Sequence, residues 1–288
     1  MILVAGGDSF VYGSELKDCG DKLYPKDYAN SLYGHSLSSF PALLAKNYDY
    51  SCCAWPGYSN ESIARTVIAE CSQYDNCGVI VSWTFPGRYE FRFTYDTKQK
   101  KSPWFAFNSW TIENPSNIFK EFKKNDTYVK GIFEKHYNDS ILTGTNYFAQ
   151  VFFEHVGSSE YWEIYSSLKE ILYLQNYLKT RKIPYLFTCA DNKLFYNYTI
   201  ENADKYILSI INEIDFDSWF WFPPGTNGNE TKNPRGFYQW AVENKYPTGT
   251  THPLEEAHVA AAELIKEKFN ELVTQPLEQN SIRNKISS

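Results

Sequence analysis

Two short stretches of the chain hold residue types that can do nucleophilic chemistry. MILVAGGDSF sets Ser9 in a Gly-Gly-Asp-Ser turn directly behind four apolar residues, and GTTHPLEEAHVAAAELI sets His252 just before Pro253. A serine hydroxyl is a weak nucleophile until a neighbouring base takes its proton, and an imidazole is suited to do so near neutral pH. The Gly-x-Ser-x-Gly elbow of the α/β-hydrolases is not met, because Val11 stands in place of the second glycine. Taken alone, the tetrapeptide is equally compatible with Ser9 capping a turn or helix through its side chain. Pro253 suits the first position of a helix whose apolar face is Leu254, Ala257, Ala261, Leu264 and Ile265. His252 is then placed at a loop–helix junction, from which its ring can project into a site. His258 falls on the apolar face and reads as a buried, hydrogen-bonded imidazole.

A third stretch, WTFPGRYEF, carries Trp83, Arg88 and Glu90 where a buried strand leaves the sheet. Arg88 and Glu90 read as a surface ion pair flanking a Pro-Gly turn. The functional reading has Arg88 binding an anionic or polyhydroxylated substrate, or holding the following segment over the cleft.

The elements that must position these residues alternate. Ile2–Ala5, YDYSCCAW, CGVIVSWTF, IPYLFTCA and SWFWF read as five strands. Helical patterns lie between and after them: FPALLAKNY, NESIARTVIAECSQY with Asn60 as N-cap, EYWEIYSSLKEILYLQNYLKTRK, the region 202–213, GFYQWAVEN and the segment from Leu254 onward. Such alternation predicts an α/β chain with a mostly parallel sheet covered by helices on both faces, and ligands at the carboxyl ends of its strands. The rhythm fails over 88–157, which is rich in Phe, Tyr, Trp, Asn and Lys and reads as an insertion within a single domain, 1–288. Its planar rings suit a lid, a sugar-stacking surface or a packing interface to a second copy.

Whole-chain properties remove several function classes. Net charge is −6 with no basic cluster, so nucleic acid has no electrostatic footprint to bind. No apolar run approaches the ~18 residues of a membrane span, and the first residues read as a strand rather than a secretory leader, which predicts a cytoplasmic protein at synthesis. The six cysteines, at 19, 52, 53, 71, 77 and 189, form no CxxC pair or zinc spacing, so reduced thiols are expected and neither a metal nor a cofactor.

The Gly-Asp-Ser behind strand one, the glycine after strand two and the His-Pro-(four residues)-His stretch resemble the SGNH (GDSL-like) hydrolases across most of the chain. The resemblance implies a three-layer α/β/α sandwich of flavodoxin-like type around a five-stranded sheet. It implies Ser9 as nucleophile and His252 as base, with an oxyanion hole from the backbone N–H of Ser9, that of Gly57 in AWPGYSNES, and an asparagine side chain after strand three. Two departures stand out. SWTFPGRYEF lacks that asparagine, leaving Thr84 or Asn60 as candidate donors. The family's aspartate two or three residues before the histidine is absent, since Gly249 and Thr250 occupy those positions. The partner of His252 is then a backbone carbonyl or a carboxylate from elsewhere, such as Glu243 or Glu255; Glu255 and Glu256 are already explained by the positive end of a helix dipole.

The implied activity is hydrolysis of a small, acetyl-like ester on a glycan. The alternative is a weak or inactive domain of the same fold, kept for glycan binding or assembly. The family also occurs among bacteriophage proteins, and the Asn-, Lys- and Tyr-rich composition suits an AT-rich phage genome; on that reading the protein is virion-associated.

Overall fold

In a computed structural model the described residues are 1–20, 34–92, 104–108, 148–195, 203–224 and 234–274. Strand β1 (Ile2–Gly6) leads into a four-residue helix α1 (Ser9–Tyr12), and α2 (Phe40–Leu44) precedes β2 (Asp49–Cys52). Then come α3 (Asn60–Cys71), β3 (Cys77–Trp83) and an antiparallel pair, β4 (Arg88–Arg92) with β5 (Trp104–Asn108). The long helix α4 (Glu160–Thr180), β6 (Tyr185–Cys189), α5 (Lys205–Ile211), α6 (Phe237–Glu243) and α7 (Glu255–Phe269) complete the order.

The main sheet runs β2-β1-β3-β6, all parallel. Because successive side chains on a strand face opposite ways, each buried strand feeds two cores. Leu3, Ala5, Ile80 and Leu186 face one side with Phe10, Phe237, Ala257 and Ile265 from α1, α6 and α7. Val4, Val79, Val81 and Phe187 face the other with Ile63 and Val67 of α3, Leu168 and Ile171 of α4 and Ile207 of α5. This is the layered α/β arrangement expected from the alternation, with four strands in the main sheet among the described residues rather than five.

The difference lies at SWFWF. Phe216–Ser218 forms a 3₁₀ turn, and only Trp219 bridges Phe187 in parallel, with Phe220 N–H donating to Phe187 O at 2.8 Å. The chain then changes partner: Phe222 pairs antiparallel with Arg235. One rung in the fifth-strand position is all that remains.

Two helix starts also move. Ser59, not Asn60, is the N-cap of α3, its hydroxyl accepting from Ser62 N–H at 3.1 Å. Pro253 bridges Thr248 instead of opening α7, which starts at Glu255.

Only parts of the 88–157 segment are described. Tyr89, Phe91, Phe148, Phe152 and Phe153 form a small aromatic cluster, and the Tyr89 hydroxyl donates to Gly157 O at 3.1 Å. The expectations of a lid and of an interface fall mainly on residues outside those described. Among the described residues no helix is long and apolar enough to cross a membrane. Cys19, Cys71, Cys77 and Cys189 are buried thiols, and Cys52 and Cys53 are half-buried ones.

Candidate active site

β1 ends at Gly6, and Asp8 caps α1 by accepting the Phe10 N–H at 3.0 Å. That cap turns the chain sharply and makes Ser9 the first residue of the helix, at the carboxyl end of the central strand β1. At the far end of the chain, residues 247–254 fold into a tight loop: Gly249 N–H donates to His252 O at 2.8 Å, and Leu254 N–H to Pro247 O at 2.9 Å. The loop presents His252 to α1, with its ring against Phe10 at a centroid distance of 4.9 Å. His252 Nε2 lies 2.8 Å from Ser9 Oγ. Residues 243 positions apart are thereby brought into hydrogen-bond contact.

The opposite ring nitrogen has a carboxylate. Glu15 Oε1 stands 3.2 Å from His252 Nδ1. Thr251 completes the link: its Oγ1 is 2.9 Å from Nδ1 and donates to Glu15 Oε1 at 3.1 Å, while its N–H donates to Oε2 at 3.3 Å. A carboxylate only accepts, so Nδ1 carries the proton and the Nε2 lone pair faces Ser9. Burial raises the Glu15 pKa, but the hydrogen bonds from His252 and Thr251 and the nearby imidazole outweigh it and hold the carboxyl below its usual value.

Glu15 was not foreseen. It lies just past α1, at a φ of 70°, a left-handed conformation uncommon for a residue with a side chain. No periodicity or motif marks it. The signal available was Gly249: a Cβ at that position would run into the Glu15 carboxylate. The glycine standing where a carboxylate was expected thus makes room for one arriving from another element.

The alternative carboxylates are engaged elsewhere. Glu243 Oε1 accepts from Arg235 Nε at 2.7 Å, and Glu255 Oε1 accepts from Lys17 N–H at 2.9 Å. Glu256 sits exposed in the first turn of α7.

Gly57 lies in the loop after β2 with φ 84°, and open space surrounds the position of a missing Cβ. Neither its N–H nor that of Ser9 is used in a hydrogen bond among the described residues. The two other candidate donors are differently placed. Asn60 Nδ2 donates to Thr84 O at 3.3 Å and its Oδ1 accepts from Thr84 N–H at 2.9 Å, so its amide clamps the chain leaving β3. The Thr84 hydroxyl donates to Asp8 Oδ2 at 2.5 Å.

Arg88 and Glu90 do not pair with each other. Arg88 Nη1 donates to Asp8 Oδ2 at 2.9 Å and to Thr84 Oγ1 at 2.8 Å. Glu90 accepts from Arg65 Nε at 2.8 Å, Arg65 Nη2 at 2.7 Å and Ser62 Oγ at 2.7 Å, fixing β4 to α3. Trp83 is wholly buried among the sheet side chains and takes no part in the site. His258 is buried, with Nδ1 accepting from Phe40 N–H at 3.1 Å, as its place on the apolar face predicted.

No protein-family model matches the chain, and no curated protein matches it. Among solved structures, a "putative lipolytic protein of G-D-S-L family" from Desulfitobacterium hafniense DCB-2 aligns with a TM-score of 0.41 and 12% identity, over 92% of this chain and 98% of that one.

Proposed function

We propose that the protein is a serine-dependent carboxylic ester hydrolase in which Ser9 is the nucleophile, His252 the general base and Glu15 the group that orients His252. The observation that carries this reading is the unbroken series Ser9 Oγ, His252 Nε2, His252 Nδ1, Glu15 Oε1, with separations of 2.8 Å and 3.2 Å across its two gaps. As Ser9 Oγ attacks the ester carbonyl carbon, its proton passes to Nε2, and the imidazolium is stabilised by Glu15. The carbonyl oxygen takes the negative charge and meets the N–H groups of Ser9 and Gly57. Collapse of this intermediate breaks the C–O bond, and the departing alkoxide takes the proton from Nε2. Water then attacks the acyl-serine with His252 again as base, releasing the acid and restoring Ser9.

The substrate this reading favours is a small, acetyl-like ester of a carbohydrate. Trp55, two residues before Gly57, is 55% exposed and packs at a steep angle to the Tyr12 ring, which leaves an exposed indole near Gly57 to meet a sugar ring. The test is hydrolysis of p-nitrophenyl acetate by the protein and by Ser9→Ala, with equal folding verified by circular dichroism. Loss of turnover in the variant is expected. Equal rates in the two proteins would leave a glycan-binding or assembly domain as the better reading.

A further inference from the structure

The site as built has two backbone donors for the developing oxyanion and an acidic neighbour. Asp8, fully buried and adjacent to the nucleophile, places a carboxylate close to where negative charge must grow. Such a charge opposes the reaction unless a cation cancels it.

Arg88 is placed to do that and more. Its Nη1 donates to Asp8 Oδ2, the residue before Ser9, and at 3.4 Å to the carbonyl of Tyr58, the residue after Gly57. Its Cζ stands 5.0 Å over the ring of Phe85, whose neighbour Phe10 supports His252. The guanidinium therefore contacts residues flanking both peptide donors, and its side chain retains 19% exposure. Every hydrogen bond it makes among the described residues uses Nη1, which leaves the N–H groups of Nη2 and Nε unengaged. The Thr84 hydroxyl spends its single donor on Asp8, and Asn60 is buried with both ends of its amide committed to the Thr84 backbone, so Arg88 is the more accessible donor.

Resting on the ester-hydrolase reading, we infer that Arg88 is a third oxyanion donor: one edge of its guanidinium neutralises Asp8 while the other offers N–H groups to the tetrahedral intermediate. A guanidinium is suited to this because its donors are planar, fixed and permanently charged. The interaction strengthens as the carbonyl oxygen gains charge, so it acts on kcat more than on KM.

The experiment compares steady-state hydrolysis of a neutral acetate ester by the wild type, Arg88→Gln and the double variant Asp8→Asn/Arg88→Gln, beside Ser9→Ala. The double variant removes both charges and so holds no unpaired buried carboxylate; it carries the comparison even where Arg88→Gln alone does not fold. The expected result is a kcat lowered about 10²–10³-fold in the double variant, with KM little changed. Affinity for phenylboronic acid, which forms a tetrahedral adduct on the serine, falls in parallel. A double variant with wild-type kcat would show that Arg88 only neutralises Asp8. A rise in KM at unchanged kcat would make it a substrate-binding residue; either result overturns the assignment. These outcomes are read with Ser9→Ala inactive, whereas turnover that survives Ser9→Ala removes the nucleophile reading itself.

Discussion

Replacing Glu15 by Gln keeps the size of the side chain while removing its charge and placing an amide near His252 Nδ1. The amide N–H₂ group favours the imidazole tautomer protonated on Nε2, which cannot take the Ser9 proton. Turnover of Glu15→Gln is expected to fall by about 10²–10⁴-fold with an unchanged fold, as measured by steady-state kinetics. A kcat within a few-fold of wild type would show that the 3.2 Å contact is not what orients the ring. Gly249→Ala tests the same geometry from the other side, because the added methyl group displaces the Glu15 carboxylate. A loss of about 10²-fold in kcat is expected, the size of effect that an ångström-scale misplacement produces. Since the carboxyl is held below its usual pKa, its contribution to stability is present above the ordinary carboxylate range and lost only as pH falls through that lowered value.

At the scale of elements, His258 ties α7 to the start of α2, and the hydrogen bond of its ring to the Pro253 backbone reaches the loop that carries His252. Burial, with a smaller push from His252, lowers its pKa from 6.5 to about 3. A histidine depressed in the folded state stabilises the fold above its unfolded pKa and withdraws that stability as pH falls. Unfolding free energy should therefore drop by about 1.4 kcal/mol for each pH unit from 6.5 down towards 3 through this group alone. Urea unfolding between pH 7 and 4 measures the slope. In His258→Asn the slope should flatten while stability at pH 7 falls; an unaltered slope would assign the acid sensitivity to other groups.

For the molecule as a whole, the sheet gathers chemistry at the carboxyl ends of β1, β2 and β3, and the β4–β5 pair is joined to that edge through two ion pairs. Arg88–Asp8 links it to the turn that carries Ser9 and Glu90–Arg65 links it to α3. Glu90→Ala removes a carboxylate that is almost wholly buried and accepts three side-chain hydrogen bonds. A loss of about 2–4 kcal/mol is expected by denaturant unfolding, because Arg65 is one-third exposed and retains part of its hydration. Retention of wild-type stability would mean that α3 and β4 are held by packing alone.

The strand–helix rhythm, the buried runs of β1 and β3 and the apolar faces of α3 and α7 were legible because burial writes a period into sequence. The last strand was not: SWFWF has the apolar run of a strand, but after one rung with β6 at Trp219 the chain pairs Phe222 with Arg235, a change of partner that the run does not encode. Ser9 and His252 stood out by type and context, as did the backbone freedom of Gly57. What only the tertiary structure decided was their company. Glu15 reaches His252 across a turn and a loop that share no sequence proximity, and it fits because Gly249 has no side chain. Arg88 and Glu90 lie two apart on β4 and so share a face, yet Arg88 meets Asp8 of the turn after β1 and Glu90 meets Arg65 of α3, because different elements abut the two positions. Local pattern records which residues are buried, whereas pairing across the chain is fixed by distances that no pattern carries.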